Sequence, residues 1–273
     1  MKTRSLFYYI SGLLFLFSSI CYTQESENIN IIGRWAKGPC YAAAVDGSIA
    51  YFGNGPSLQI VDFSDPANPI ELAKVELQAP LRDVTINGNF VYVAAGNAGL
   101  FIFDISDPTQ PNEIGSIKRD ADFIGVAVQG NYSYVLTRGW MYIIDISDPV
   151  NPERESTFYD IREGYSIAIS GNYAYVADGN KGLRIINISD PNNPTEVSLL
   201  DTGGYSAPAE DVAINGAHAY VSIRGGGVIA VDVSDPANPA QVDSVGVQHT
   251  STGVATDGNH VYLLLAEWSS KNN

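Results

Sequence analysis

Cysteine is almost absent from this chain of 273 residues, which contains only Cys21 and Cys40. Cys21 lies at the end of an apolar N-terminal segment, and removal of that segment would leave Cys40 alone. A single cysteine cannot form an internal disulfide, so the fold must be stabilised by packing. About 250 residues are enough to bury one large core.

Positive charge is also scarce, because 15 lysines and arginines stand against 30 acidic residues. The formal net charge is −15, and loss of residues 1–23, which contain Lys2 and Arg4 but no acidic residue, makes it −17. An acidic surface repels phosphate backbones and anionic lipid headgroups. The composition therefore predicts that nucleic acid is not a partner. The same charge would keep an extracellular protein in solution.

Motifs of well-known catalytic sites are missing as well. The sequence contains no Gly-x-Ser-x-Gly, His-Glu-x-x-His or Cys-x-x-Cys pattern and no phosphate-binding loop. Helical periodicity is absent after the N-terminal segment. These absences predict a protein that is not an enzyme and that carries neither a cofactor nor a metal site.

The N-terminal segment has the order of a secretory signal. Lys2 and Arg4 precede an apolar run of 15 residues, 6–20, and small and polar residues follow. This run is shorter than the roughly 20 residues of a membrane-spanning helix. We expect a signal peptide over residues 1–23, no membrane span after its cleavage, and a secreted, periplasmic or cell-surface location. Lipid attachment at Cys21 is the alternative, although Ile20 is larger than the residue usual before a lipidated cysteine.

The rest of the chain is built from repeats. Residues 99–111 read Gly-Leu-Phe-Ile-Phe-Asp-Ile-Ser-Asp-Pro-Thr-Gln-Pro, and close copies occur at four other places. The aspartates of the five Ser-Asp-Pro turns are spaced by 42, 41, 42 and 45 residues: Asp65, Asp107, Asp148, Asp190 and Asp235. Six tyrosines recur in phase with them: Tyr51, Tyr92, Tyr134, Tyr175, Tyr220 and Tyr262. A fixed period of this length predicts a repeat architecture.

One motif inside the repeat carries a family resemblance. It reads Leu58-Gln-Ile-Val-Asp-Phe, Leu183-Arg-Ile-Ile-Asn-Ile and Val228-Ile-Ala-Val-Asp-Val in three of the copies. The chain resembles the LVIVD-repeat family of secreted and cell-surface β-propeller proteins over nearly all of its length after the leader. The resemblance implies a surface location, and it implies no particular activity.

Each repeat has room for four short strands. Alternating runs occupy residues 113–118, 124–128, 132–137 and 141–146 of one copy. A Gly between the second and third runs suits a tight hairpin, and Asp, Asn and Pro suit the turn after the fourth. A unit of about 42 residues with four antiparallel strands is typical of a β-propeller blade. We therefore predict one all-β domain over residues 24–273, a propeller of the six-bladed type.

The two ends of this domain predict how the ring is closed. Asn30 to Lys37 aligns with the outer strand of a blade and is expected to cross over to the last one, which would remove open edges. The sixth unit has candidate strands at residues 253–256 and 260–265, but no Gly-Leu-x-Ile-x-Asp copy follows. The prediction is five complete blades and an incomplete, C-terminally truncated or poorly ordered sixth.

Residues that repeat in every blade are expected to be structural, so the repeated tyrosines should pack between blades and Asp62 and its equivalents should support the turns. Residues that differ between blades are where a site can form, in the variable loops that lead into the inner strands. Asp83, Asp122 and Asp211 could converge on a cation, but no ligand spacing supports this over solvated charges. The candidate ligand-binding residues of this face are Arg82, Asp83, Asp122, Arg162, Tyr165, Glu210, Asp211 and His249.

The function predicted from these features is an exported binding, adhesion or interaction module of the cell surface that engages a polysaccharide or protein through the variable face. An alternative is an extracellular carbohydrate-active or other hydrolase or lyase, with acid and base groups around His249, Glu210 and Asp211 at the centre of that face. A second alternative is a scaffold or spacer fragment of a larger surface protein. The sequence carries no signal for a particular oligomeric state.

Overall fold

The computed structural model describes residues 7–10, 13–16, 40–118, 121–247 and 250–266. These residues form five sheets of four antiparallel strands and two sheets of two strands, each joining strands that are consecutive in the chain. They contain no α-helix, only one turn of 3-10 helix at Gly204–Ser206. No helix within the described ranges is long and apolar enough to cross a membrane.

The strands follow the order of the repeats. An N-terminal hairpin pairs β1 (Phe7–Ile10) with β2 (Leu13–Leu16). The first blade contains β3 (Ala43–Asp46), β4 (Ile49–Gly53), β5 (Ser57–Asp62) and β6 (Ile70–Glu76). The second contains β7 (Asp83–Asn87), β8 (Phe90–Ala94), β9 (Leu100–Asp104) and β10 (Asn112–Ile117). The third contains β11 (Gly125–Gln129), β12 (Tyr132–Leu136), β13 (Met141–Asp145) and β14 (Glu153–Phe158).

The remaining blades continue the series. The fourth contains β15 (Ser166–Ser170), β16 (Tyr173–Ala177), β17 (Leu183–Asn187) and β18 (Thr195–Leu200). The fifth contains β19 (Ala209–Asn215), β20 (His218–Ile223), β21 (Gly227–Asp232) and β22 (Ala240–Val245). The sixth sheet contains β23 (Thr250–Thr256) and β24 (Val261–Ala266). Four strands per repeat, with boundaries within a residue or two of those expected, confirm the predicted blade.

Local turn chemistry explains why each repeat folds in this way. The hairpin glycines adopt positive φ, as Gly130 (+59°) and Gly171 (+57°) do, a region that side chains of L-residues disfavour. In the Ser-Asp-Pro turn, which joins the third and fourth strands of a blade, the carboxylate of Asp145 accepts a hydrogen bond from the backbone N–H of Ser147 at 2.8 Å. Asp148 accepts one from the N–H of Val150 at 3.1 Å and one from the Asn151 amide at 2.9 Å. The repeated acidic residues are therefore structural, as predicted.

The hydrophobic cores lie between neighbouring blades. Tyr92, for example, packs with Phe123, Val126 and Ile144 of the following blade. Four of the six repeat tyrosines are buried in this way, which confirms their predicted role there: Tyr51, Tyr92, Tyr134 and Tyr175. Tyr220 and Tyr262 are only half-buried. Tyr220 faces a sixth sheet that has two described strands and so offers less cover.

The sixth sheet has two strands among the described residues, in agreement with the prediction of a blade that is less complete than the other five. Every residue of β22 is exposed, whereas the last residue of β10 and of β14 is buried between blades. Within the described ranges, no strand of the sixth sheet pairs with a strand of the first, so closure of the ring is not seen. Asn30 to Lys37, expected to close it, lies outside the described residues. The hairpin of β1 and β2 falls within residues 1–23, for which a signal peptide stays a prediction.

Candidate functional site

The inner strands of all six sheets line one cavity of about 370 Å³, which we call the axial cavity. In each blade, the repeat tyrosine pairs with a residue of the inner strand. The residue three positions before that partner lines the cavity. These six residues are Tyr41, Arg82, Ile124, Tyr165, Glu210 and Thr252. Five different residue types therefore occupy one equivalent position of a repeat that is otherwise uniform.

The next residue of each blade adds a second set of side chains to the cavity. Ala42, Asp83, Ser166 and Asp211 line it from this position. Tyr41 and Tyr165 come from blades that are three apart in the chain, as do Arg82 and Glu210, and as do Asp83 and Asp211.

The two aspartates join neighbouring blades. Asp83 Oδ1 accepts the N–H of Val84 at 2.8 Å, and its Oδ2 accepts the N–H of Val126 in the next blade at 2.8 Å. Asp211 repeats this arrangement with Val212 and Val254, again at 2.8 Å each. The equivalent positions in the other blades are Ala42, Gly125, Ser166 and Gly253, so only the second and fifth blades have an aspartate that can form this bridge.

Burial changes the acidity of these carboxyls. It raises the pKa of Asp83 to about 7, against the opposing effect of the Val126 and Val84 N–H groups, and the charge of Asp211 raises it further. Burial also raises the pKa of Asp211, which the hydroxyl of Ser166 and two backbone N–H groups partly offset. The cavity thus contains two carboxyls whose charged forms are disfavoured. Such groups are common at functional sites.

Tyr165 and Glu210 belong to a network at one side of the cavity. Arg224 forms an ion pair with Glu210 and donates a hydrogen bond to the Tyr165 hydroxyl at 3.2 Å. The Tyr165 ring also lies 4.6 Å from the Arg138 guanidinium, within the range of a cation–π interaction. The Tyr165 hydroxyl in turn donates to Glu163 at 3.2 Å. These contacts hold one aromatic wall of the cavity in place.

Arg82 has no comparable partners. Its guanidinium lies 5.3 Å from the centre of the Tyr41 ring. Its Nε is buried and has no hydrogen-bond partner among the described residues, and no ion pair involving Arg82 occurs in that part of the chain. This Nε atom is enclosed, so contacts of Arg82 with a bound molecule would have to come from the rest of its guanidinium group.

A buried ion pair supports the loop that carries Glu163. Arg184 donates through Nε to Asp178 at 2.8 Å, and both side chains are almost completely buried. The other carboxylate oxygen of Asp178 accepts the N–H groups of Arg162 and Glu163 at 2.9 and 2.7 Å. Asp178 therefore links the second strand of the fourth blade to the loop that leads into its inner strand.

Five of the eight predicted site residues line the axial cavity: Arg82, Asp83, Tyr165, Glu210 and Asp211. Asp122 is exposed and does not line it; its carboxylate lies over Gly96, where an added Cβ would be 3.0 Å from Oδ1. The side chain of Arg162 is 67% exposed and pairs with Asp160 at the surface. His249 lies outside the described residues. Five of the eight residues therefore come together around one cavity, whereas the side chains of Asp122 and Arg162 lie outside it. That these residues bind a ligand stays a prediction.

The cavity lining also includes residues that the prediction did not name, among them Tyr41, Ile124, Ser166 and Thr252. An alignment of the repeats on their tyrosines would have placed Tyr41, Ile124 and Thr252 at the same position as Arg82. Asp83, Asp122 and Asp211 do not converge on a cation, since no group of three potential ligands is found among the described residues.

Three exposed aromatic side chains lie in the connections that lead into inner strands, and Tyr41 among them also lines the cavity. Tyr41, Tyr159 and Tyr205 are 57%, 73% and 90% exposed. All three precede inner strands: Tyr41 lies before β3, Tyr159 before β15 and Tyr205 before β19. They are the large aromatics among the exposed hydrophobic side chains of the described chain. Tyrosine is favoured at binding surfaces because it offers a large contact area and one polar group.

Comparison with known proteins agrees with this architecture. A family model described as LVIVD repeat matches the chain five times, over residues 41–76, 81–119, 121–159, 162–202 and 206–247. Together these matches cover well over half of the chain. No match was found among curated proteins.

Several solved structures share the fold. The β-propeller domain of Myceliophteria thermophila Cps50 (Swd1) is 13% identical with a TM-score of 0.68, and the similarity covers 84% of this chain and 81% of that one. A functionally unknown protein from Desulfotomaculum acetoxidans is 17% identical with a TM-score of 0.67, covering 78% and 71%. The computationally designed Ika8 protein is 13% identical with a TM-score of 0.65, covering 83% and 68%. At these identities the similarity shows the fold alone.

Proposed function

The chain belongs to the LVIVD-repeat family, and on that premise we propose that it is an exported binding module that holds its ligand in the axial cavity. The observation that carries the proposal is the set of five residue types at one equivalent position around the cavity. A scaffold position would be filled in the same way in every blade, as the repeat tyrosine is. Variation confined to a shared concave surface is typical of recognition on a propeller.

The leader sequence and the composition support an extracellular role. Residues 1–23 have the features of a secretory signal, and the acidic composition suits a protein that stays in solution outside the cell. Export would be tested by intact mass and N-terminal peptide mapping of the native protein. A mature N-terminus near Gln24 is expected, whereas an intact residue 1 would contradict export through this leader.

The repeats themselves provide variants for testing the cavity. Tyr165→Ile introduces the residue type of Ile124, and Glu210→Thr introduces that of Thr252. Both types already stand at the equivalent position of another blade, so the fold tolerates them at that site. Val150→Ala is the matched control, because Val150 lies in an exposed turn where Ala67 and Ala237 stand in other repeats. Thermal unfolding of each variant would verify that the fold is retained.

Binding would be measured with immobilised oligosaccharides and peptides as probes. A probe that binds the wild type is expected to lose about tenfold or more in affinity with either cavity variant, since about 1.4 kcal/mol of lost contact corresponds to that factor. The Val150→Ala variant should bind as the wild type does. Binding that is unchanged in both cavity variants, or absent for every probe, would contradict the proposal.

A second candidate is an extracellular hydrolase or lyase. The raised pKa of Asp83, about 7, favours it, because a carboxyl that stays protonated near neutral pH can act as a general acid. Against it, both oxygens of Asp83 already bind backbone N–H groups. Conversion of a bound oligosaccharide into shorter products would support this candidate. Combined substitution of His249, Glu210 and Asp211 should then abolish turnover while the unfolding temperature is retained.

A further inference from the structure

We propose that the axial cavity binds the terminal residue of an uncharged glycan, and that the neighbouring part of the glycan lies over the loops of the fourth and fifth blades. This inference rests on the proposed function, which makes the cavity the binding site, and adds the chemical class and the direction of the ligand.

The charges in the cavity favour a ligand without net charge. Arg82 lines one side with no ion-pair partner among the described residues, so a cationic group would be repelled there. Asp83 and Asp211 line the cavity as well, and the charge of Asp211 already disfavours ionisation of Asp83. An anionic group would add to that repulsion. Because charges of both signs lie in one small space, an ionic group that is attracted by one of them is also placed beside a like charge, whereas a neutral ligand is not.

The hydrogen-bonding groups favour hydroxyls. Arg82 offers donors only, and its buried Nε has no acceptor within the described part of the chain. Asp83 and Asp211 accept two backbone hydrogen bonds each, and Asp211 also accepts one from the Ser166 hydroxyl, whereas an ionised carboxylate has about four acceptor positions. A hydroxyl both donates and accepts, so adjacent hydroxyls of one sugar ring can bind Arg82 and a carboxylate together. An apolar ligand would leave these groups unsatisfied.

The size of the cavity favours a single unit. Its volume of about 370 Å³ is near the lower end of the roughly 300–1,000 Å³ of pockets for small molecules. One sugar ring fits such a space better than a chain that passes through it. A protein partner would instead need a broad interface of about 1,000 Å² or more to bind stably.

Exposed tyrosines indicate where the rest of the glycan lies. Tyr159 is 73% exposed in the connection that leads to Tyr165 of the cavity wall, and Tyr205 is 90% exposed in the connection that leads to Glu210. Tyrosine rings present flat apolar faces on which sugar rings can stack. Sugars beyond the terminal unit are therefore expected over these two loops.

The test is isothermal titration of the full-length protein with oligosaccharides that differ only in the terminal unit. Neutral, uronate-terminated and glucosamine-terminated forms of the same tetrasaccharide backbones would be compared, together with peptides. We expect the neutral form to bind, and each charged form to bind about tenfold more weakly or worse, because each charged form is placed beside a like charge in the cavity. Arg82→Ile, which introduces the residue of the third blade, should weaken the neutral form by about tenfold. Val150→Ala should not.

The dependence of binding on glycan length tests where the glycan extends beyond the cavity. Tyr205→Ser is expected to weaken binding of a tetrasaccharide but not of a disaccharide. Equal effects on both lengths, or none, would contradict the placement over the fifth blade.

The outcomes separate the two proposals. If only peptides or a charged form bind, and the cavity variants abolish that binding, the assignment to an uncharged glycan is wrong and the cavity remains the binding site. If a neutral glycan binds and the cavity variants have no effect, the cavity is not the site and both proposals fail. If no neutral oligosaccharide binds the wild type, the glycan assignment is also wrong.

Discussion

Replacement of Asp83 by asparagine should change how the stability of the protein depends on pH. Burial raises the pKa of Asp83 in the folded protein to about 7, from an ordinary value of 3.8. The folded state therefore binds a proton that the unfolded state releases between these two values. The contribution of Asp83 to stability is fully present below about pH 4 and is lost as the pH rises through 7. A shift of about 3 pH units corresponds to at most about 4 kcal/mol.

Asparagine removes this dependence but also changes the hydrogen bonding. Its single side-chain oxygen can accept from Val84 or from Val126 but cannot replace both carboxylate oxygens. One buried N–H group then loses its acceptor, at a cost of about 1–3 kcal/mol that does not vary with pH. The lost hydrogen bond therefore lowers the free energy of unfolding of the variant by the same amount at every pH, while the lost titration of Asp83 changes how that free energy varies with pH.

Urea unfolding of the wild type and of Asp83→Asn at intervals from pH 4 to pH 8 would measure both effects. The free energy of unfolding of the wild type minus that of the variant should fall across this range by up to about 4 kcal/mol. Asp122→Asn, at an exposed aspartate of the same face, controls for the change of charge. Asp211→Asn should move the transition to lower pH, because the charge of Asp211 raises the pKa of Asp83. A difference that is constant, or that rises with pH, would refute the burial argument.

Three further predictions concern the scaffold, and denaturant unfolding measures the first two. Gly182→Ala should destabilise the protein by several kcal/mol, since a Cβ at this position would lie 2.1 Å from the Leu200 carbonyl oxygen. Gly171→Ala should cost only about 1–2 kcal/mol, since a Cβ there would meet nothing within 4 Å. Equal costs of the two substitutions would contradict this prediction. Arg184→Met should cost about 3–5 kcal/mol by leaving a buried carboxylate unpaired, whereas Arg162→Met at the surface should cost at most about 1 kcal/mol. The Asn151 amide and the Val150 N–H lower the pKa of Asp148 in the folded protein. The stability that Asp148 contributes is therefore present above the ordinary pKa of aspartate and is lost as the pH falls through the lowered pKa. Acid unfolding of Asp148→Asn should lack this pH-dependent loss of stability.

Much of the fold could be predicted because each repeat records its own local structure. The hairpin glycines need positive φ, and the turn aspartates bind backbone N–H groups within two residues of themselves. These requirements are local, so they are visible as a pattern with a period of about 42 residues. The shortfall of the sixth sheet was visible for the same reason, since six tyrosines are matched by only five Ser-Asp-Pro turns.

The site could be predicted only in part. Variation between blades correctly indicated Arg82, Tyr165 and Glu210, because a position that differs among repeats is released from the scaffold. It also indicated Arg162, whose side chain pairs with Asp160 at the surface while its backbone N–H binds Asp178. Sequence position alone does not reveal which way a loop side chain is directed.

The sequence by itself determined the repeat, the order of strands within a blade, the turns and the face on which variable residues collect, since all of these depend on neighbours within about 40 residues. Only the tertiary structure decided which variable residues meet, because the axial cavity joins positions from six repeats that are far apart in the chain. It also decided that Asp83 and Asp211 bind the backbone of the following blade and are buried there, which raises their pKa. These properties arise from the convergence of the blades on one axis, a relation between repeats that no single repeat contains.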